Sequence, residues 1–174
     1  MEKQNPKILT IGKVDLDKLR EDIVDIPNQR QFPLQGLNEE DKNSSISYDL
    51  KVRDNEEDYI VRLYDHMDYT YSVIDDFDLY RTRYMYLPSI TTYGIHKDRT
   101  PRIHIPIETN HNCFFVLDDE VVRLPADGSV YWVDTTLTHT FVNANAHLAK
   151  FVRVHLIGNT KLSLHEARSL ADRL

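Results

Sequence analysis

Apolar residues follow two different periods along this chain. Between residues 15 and 25 they recur at helical spacing after an acidic start, which predicts a short amphipathic helix containing Leu16, Leu19, Ile23 and Val24. From Tyr59 onward the period changes to two, and β-branched or aromatic residues dominate. That pattern predicts strands at residues 59–64, 81–87, 102–107, 113–117, 120–124, 130–134, 138–142 and 151–157.

Turn and cap signals separate these segments. Asp118-Asp119 and Asp127-Gly128 are typical of hairpin turns, and the polar stretch 36–47 predicts a mobile surface loop. Ser163 and Glu166 form a capping-box pair that predicts a final helix through Leu174. Many short strands and few helices favour a mainly β fold, a sandwich or a jelly roll.

Composition narrows the functional classes. A chain of 174 residues suits one domain, 1–174, with a substantial core. The net charge of −7 gives no basic patch for nucleic acid, and we find neither a polybasic segment nor a stretch of membrane-spanning length. With Cys113 as the only cysteine and no apolar leader at the N-terminus, we expect a cytoplasmic protein that binds neither nucleic acid nor membranes.

Metal-ligating residue types recur in the second half of the chain. His96 and Asp98 stand two apart, so in an extended segment both side chains point to one face and can converge on one ion. His139 lies in a strand-like run, where it is either a hydrogen-bonded core residue or a third ligand. A second H-x-D, formed by His66 and Asp68, lacks any following partner, and we interpret it as a solvated turn.

Cationic residues accompany these candidates. Arg102 and His104 alternate with isoleucines and share one face of their strand, either beside a bound anion or on a polar outer face. Arg153 interrupts an otherwise apolar strand, where an unpaired arginine is costly. Its partner is either a protein acid in an internal salt bridge or the carboxylate of a ligand.

Together these motifs resemble those of the aspartyl/asparaginyl β-hydroxylase family, which includes relatives of the proline hydroxylases. The similar stretches are 84–88, 96–107, 128–134, 139–143 and Arg153, and the resemblance covers about residues 81–158. It implies a double-stranded β-helix (jelly roll, cupin-like) with a short N-terminal helix and a C-terminal helix. Residues 1–80 would be a flanking segment, 81–158 the catalytic core and 159–174 the last helix.

The resemblance also implies an activity, Fe(II)- and 2-oxoglutarate-dependent hydroxylation of a C–H bond with dioxygen. His96, Asp98 and His139 would be the iron ligands and the catalytic centre. Arg102, His104 and Arg153 would bind 2-oxoglutarate, Arg153 at its distal carboxylate. The substrate stays open between a free amino acid and an Asp, Asn or Pro residue in a peptide. The alternative is a cupin-like metal- or small-molecule-binding protein without oxygenase activity.

Overall fold

The computed structural model describes residues 5–26, 30–43, 55–146 and 152–174. Its helices are α1 (Leu16–Asp22), α2 (Asp68–Asp76) and α3 (Leu164–Ala171), with 3-10 turns at Glu39–Asn43 and Glu56–Asp58. Its strands are β1 (Ile8–Lys13), β2 (Gln31–Pro33), β3 (Gln35–Gly36), β4 (Val61–Arg62), β5 (Tyr80–Leu87), β6 (Thr91–Thr92), β7 (Arg102–Glu108), β8 (Cys113–Leu117), β9 (Glu120–Val122), β10 (Ser129–Val133), β11 (His139–Asn143) and β12 (Arg153–Asn159).

The strands from β5 to β12 are divided between two antiparallel sheets. The larger sheet has the order β1-β10-β7-β12-β5-β2, and the smaller has the order β6-β11-β8-β9. The chain therefore crosses repeatedly between the sheets, and strands distant in sequence become neighbours. This is the strand order of a double-stranded β-helix, and the predicted mainly β fold is confirmed.

The two faces of the larger sheet carry different chemistry. Alternate residues of its strands pack outward against the helices in one apolar core, which includes Tyr84, Tyr86, Ile103, Ile105, Ile107, Val130, Trp132, Val154 and Leu156. Because side chains alternate along a strand, the intervening residues face the smaller sheet. Leu87, Tyr131 and Val133 pack there in a second apolar cluster, and the cationic residues of β5, β7 and β12 occupy the same side.

Local chemistry fixes the ends of the helices. The Asp15 carboxylate accepts hydrogen bonds from two backbone N–H groups in the first turn of α1. Ser163 and Glu166 form both bonds of a capping box at the start of α3, as the sequence predicts. Among the described residues, no helix has the length and apolar character needed to span a membrane.

The strand and turn predictions are confirmed with three corrections. In the predicted strand 59–64, only Val61–Arg62 is extended. The region after it contains α2 (Asp68–Asp76), which the sequence analysis did not predict. The aromatic and β-branched residues of this segment are typical of strands. The Asp118 turn does join β8 to β9, whereas the Asp127-Gly128 turn carries the chain from one sheet to the other.

The N-terminal flanking segment also takes part in the fold. It supplies β1 and β2, the two edge strands of the larger sheet, neither of which the apolar pattern predicted. In the predicted loop 36–47, Gly36 lies in β3 and Glu39–Asn43 forms a 3-10 turn, while residues 44–47 lie outside the described part of the chain.

Candidate metal centre

Three side chains from two separate segments meet at one end of the β-helix. His139 begins β11, and His96 lies in the connection between β6 and β7, paired to His139 by two backbone hydrogen bonds of 2.9 and 3.1 Å. Asp98 is held by its backbone N–H, which donates to the Thr135 carbonyl at 2.9 Å. Backbone pairing, rather than side-chain contact alone, therefore brings the H-x-D segment beside His139.

The ligand atoms of these residues converge. His96 Nε2 lies 3.8 Å from Asp98 Oδ1, and His139 Nε2 lies 3.6 Å from Asp98 Oδ2. One ligand atom from each residue lies within 4.8 Å of the others. Within the described ranges this is the one group of three or more His, Cys, Asp or Glu side chains arranged to hold a metal. Two imidazoles and one carboxylate form the donor set of a facial triad.

Both imidazoles are fixed in the tautomer that a metal requires. His96 Nδ1 donates to the Gly94 carbonyl at 2.7 Å, and His139 Nδ1 donates to the Leu137 carbonyl at 2.9 Å. With the proton on Nδ1, each Nε2 presents its lone pair toward Asp98. Burial lowers the pKa of His139, which favours the neutral ring that can act as a ligand.

Arg102 holds the third ligand in place. Its Nε and Nη2 donate to the two oxygens of Asp98 at 2.5 and 2.8 Å, and its Nη1 donates to the side-chain carbonyl of Asn159. Burial alone would raise the pKa of Asp98, but the Arg102 charge and hydrogen bonds outweigh it, so the pKa lies below its ordinary value. Asp98 is therefore an anion, and its remaining lone pairs are available to a metal.

A cavity of about 230 Å³ opens beside the three ligands. Its polar lining is rich in arginine and poor in acid, with Asp98 as the carboxylate that lines it. The lining consists of Gln31, Arg81, Arg83, Met85, Tyr93, His96, Asp98, Arg102, His104, His139, Phe141 and Ile157.

The deeper polar residues form a group of their own. Arg153 Nη2 donates to His155 Nδ1 at 2.9 Å, and its guanidinium lies over the Phe141 ring at 4.5 Å from the centroid. Burial and then the Arg153 charge hold the pKa of His104 and His155 well below the ordinary value. Both nitrogens of His104 are buried and have no hydrogen-bond partner among the described residues. Two neutral histidines thus surround a buried cation.

The structure separates the predicted site residues into two sets. It brings His96, Asp98 and His139 together, and it places Arg102 and His104 in the cavity wall. Arg153 is not part of that wall, and no acid of the described residues forms the internal salt bridge considered for it. His66 and Asp68 are exposed, as expected, but the predicted turn is only partly correct because Asp68 is the first residue of α2.

Sequence reasoning missed part of the cavity wall, namely Gln31, Arg81, Arg83 and Tyr93. The available signal was the strand Tyr80–Leu87, in which Arg81 and Arg83 share the face of Met85 and Leu87 rather than that of the outward tyrosines. The tyrosines at positions 59, 71, 80, 84 and 86 are buried, whereas Tyr93 lines the cavity.

Comparisons with known proteins add little beyond this architecture. No protein-family model and no curated protein matches the sequence. Solved structures that resemble it include a conserved Streptococcus pyogenes protein of unknown function, with 12% identity, a TM-score of 0.36 and coverage of 47% of this chain and 65% of that one.

Two further similar structures are cupins. One is an RmlC-like cupin family protein with a double-stranded β-helix fold from Methanocaldococcus jannaschii, with 13% identity, a TM-score of 0.38 and coverage of 52% and 73%. The other is a cupin 2 domain-containing protein from Halorhodospira halophila, with 14% identity, a TM-score of 0.38 and coverage of 53% and 69%. Likenesses this weak carry no information about activity, and membership of the aspartyl/asparaginyl β-hydroxylase family stays a prediction from the motifs.

Proposed function

We propose that this protein is an Fe(II)- and 2-oxoglutarate-dependent dioxygenase that hydroxylates a C–H bond of an amino acid, free or within a peptide. The observation that carries the proposal is the convergence of His96 Nε2, His139 Nε2 and an Asp98 oxygen, with both imidazole tautomers fixed by backbone carbonyls. A triad of two histidines and one carboxylate that leaves positions open to other ligands is typical of non-haem Fe(II) oxygenases. Its donor set therefore fits the ion that the sequence motifs imply.

The chain's own residues have definable parts in such a reaction. When bound, Fe(II) would activate dioxygen, the oxidant, so that the substrate C–H bond, dioxygen and 2-oxoglutarate yield the hydroxylated product, succinate and CO2. His96 and His139 bind the ion through Nε2, and Asp98 adds a negative charge that Arg102 keeps ionised and oriented. The arginine-rich wall attracts carboxylates, and the apolar Phe141 and Met85 limit water in the cavity.

A second candidate is a cupin-like metal- or small-molecule-binding protein without oxygenase activity. Two observations favour it. Arg102 is one of the residues assigned to 2-oxoglutarate, but its guanidinium already donates hydrogen bonds to Asp98 and Asn159. Arg153, assigned to the distal carboxylate, lies over Phe141 outside the cavity wall. For the oxygenase, Arg102 is then a positioning residue, and the cosubstrate depends on another cation or on a movement of Arg153.

Thermal unfolding under anaerobic conditions separates the candidates. Fe(II) should raise Tm, and 2-oxoglutarate should raise it more with the metal than without it, because the metal adds to its binding. A ligand at 100 times its Kd adds about 2.7 kcal/mol to the free energy of unfolding. His139→Ala should abolish both shifts, while His165→Ala, which removes an exposed histidine of α3, should keep them. A rise in Tm with Fe(II) but none with 2-oxoglutarate would favour the second candidate. No rise in Tm with Fe(II) would refute both the oxygenase and the metal-binding form of the second candidate.

A further inference from the structure

The arginines of the cavity wall differ in their partners. Arg81 Nη1 pairs with Glu56 Oε1 at 2.7 Å, and Arg102 pairs with Asp98. Arg83 lines the same wall, but no acid of the described residues forms an ion pair with it. Among the described residues, the cavity wall therefore has one more arginine than the acids that pair with its arginines.

Arg83 is also short of hydrogen bonds. The side chain is buried, with the residue 7% exposed. Within the described part of the chain its one hydrogen bond runs from Nη1 to the Arg81 carbonyl at 3.0 Å, and its Nε is buried with no acceptor. Burial, followed by the like charges of Arg102 and Arg81, lowers its pKa well below the ordinary value.

Such an arrangement destabilises the protein on its own. A buried charge without a partner is unfavourable, which is why buried arginines are normally paired. An anion entering the cavity would supply the missing partner, and the planar guanidinium suits a carboxylate, which accepts two parallel hydrogen bonds.

Register places Arg83 apart from Arg153. Arg83 lies opposite Ile157 of β12, while Arg153 lies opposite Leu87, four residues further along β5. At about 3.3 Å per residue, the two arginines start roughly 13 Å apart along the sheet. The two arginines therefore lie in different parts of the interior. Of the two, Arg83 lines the cavity beside the metal ligands.

A neutral group in the same wall adds a second requirement. Gln31 donates from Nε2 to the Tyr93 hydroxyl at 2.6 Å, while its Oε1 is buried with no donor from the part of the chain that the structure describes. Gln31 lies on β2, opposite Met85 of the neighbouring strand β5, which also carries Arg83. A ligand with both a carboxylate and an N–H donor, such as a free amino acid, would satisfy both residues.

We propose that Arg83 is the carboxylate-binding residue of this cavity and that its ligand is a small organic acid. The inference rests on the proposed function for the identity of that acid, which is either the amino-acid substrate or 2-oxoglutarate. It does not rest on it for the anion site itself, because the unpaired cation belongs to the wall with or without a metal.

The neighbouring arginines supply a matched test without any ligand. Arg83→Met removes an unpaired buried charge and should raise Tm by several degrees in ligand-free protein. Arg81→Met removes the partner of buried Glu56 and should lower Tm. Equal losses of stability in the two variants would show that Arg83 is paired in the folded protein, and would overturn the inference.

Binding assays identify the carboxylate. Calorimetric titration would use 2-oxoglutarate and, separately, free L-proline, L-aspartate and L-asparagine with their C-terminal amides. The protein would be tested metal-free and loaded with Zn(II), a redox-inert substitute for Fe(II). We expect at least one acid to bind the parent about 30-fold or more tightly than it binds Arg83→Met.

The binding experiments distinguish the two acids that Arg83 could bind, the cosubstrate 2-oxoglutarate and the amino-acid substrate. Loss of 2-oxoglutarate binding in Arg83→Met but not in Arg153→Met assigns Arg83 to the cosubstrate. Loss of the preference for a free amino acid over its amide assigns it to the substrate. Failure of Zn(II) to bind counts against the proposed function alone, since Arg83-dependent binding of an acid by metal-free protein still supports the inference. If no acid binds the parent, or every acid binds Arg83→Met equally well, Arg83 is not a carboxylate site.

Discussion

Two buried histidines should make this fold sensitive to acid. His104 and His155 are each 1% exposed, and burial together with the Arg153 charge holds their pKa well below the ordinary value. In the unfolded chain a histidine has a pKa of about 6.5. Below that pH the unfolded state binds protons that the folded state excludes. The free energy of unfolding therefore falls as the pH drops below about 6.5 and is nearly constant above it.

The size of the effect follows from linkage. Between pH 7.5 and 5.5, each histidine that stays neutral in the folded state lowers the free energy of unfolding by about 1.4 kcal/mol, and the pair by about 2.7 kcal/mol. His155→Asn removes one titrating ring while keeping an acceptor for Arg153 Nη2, which donates to His155 Nδ1 at 2.9 Å. The variant should therefore lose about 1.4 kcal/mol less than the parent over this range.

Urea unfolding of metal-free protein at pH 7.5, 6.5 and 5.5 measures the difference. A chelator keeps the state of the metal ligands the same in both proteins. His165→Asn, at an exposed position of α3, should retain the full loss of the parent. If His155→Asn loses as much stability as the parent, the buried ring is not excluding a proton and the reasoning fails.

Two further predictions concern backbone and cap positions. Gly128 has φ +82°, and a Cβ there would meet the Val14 carbonyl oxygen at 2.6 Å, so Gly128→Ala should lower the free energy of unfolding by about 1–3 kcal/mol. Gly94→Ala, where a Cβ meets nothing within 4 Å, is the matched control, and equal effects in denaturant unfolding would contradict the argument. Ser163→Ala should cost about 0.5–2 kcal/mol by removing the capping box of α3, and Ser163→Asp should preserve most of the stability in the same assay.

The sequence predicts a structural feature well when neighbouring residues determine it, and poorly when residues distant in the chain do. The short helix after Asp15, the capping box at Ser163 and the strand Cys113–Leu117 follow from neighbouring residues, and the structure reproduces them. The edge strand β1 does not, because its partner β10 lies more than a hundred residues away in the chain. Helix α2 was missed because tertiary burial of Thr70, Val73 and Ile74 overrides their strand preference.

The same distinction applies to the site. His96, Asp98 and His139 were predictable as candidates, since motif spacing marks them and the fold brings them together. The engagement of Arg102 with Asp98 and Asn159 was not, because Asn159 belongs to a strand distant in sequence. Arg83 was overlooked because it shares its strand with a second arginine and belongs to no motif. The ion pairs of Arg81 and Arg102 reveal that Arg83 has no acidic partner among the described residues.

The central claim is that three side chains hold a ferrous ion to which 2-oxoglutarate binds. The direct measurement is the visible spectrum of anaerobic protein containing one equivalent of Fe(II), recorded before and after addition of 2-oxoglutarate. A charge-transfer band should appear in the parent and in His165→Ala, and should be missing in His139→Ala. Parent protein that retains its iron and shows no band on addition of 2-oxoglutarate would contradict the claim.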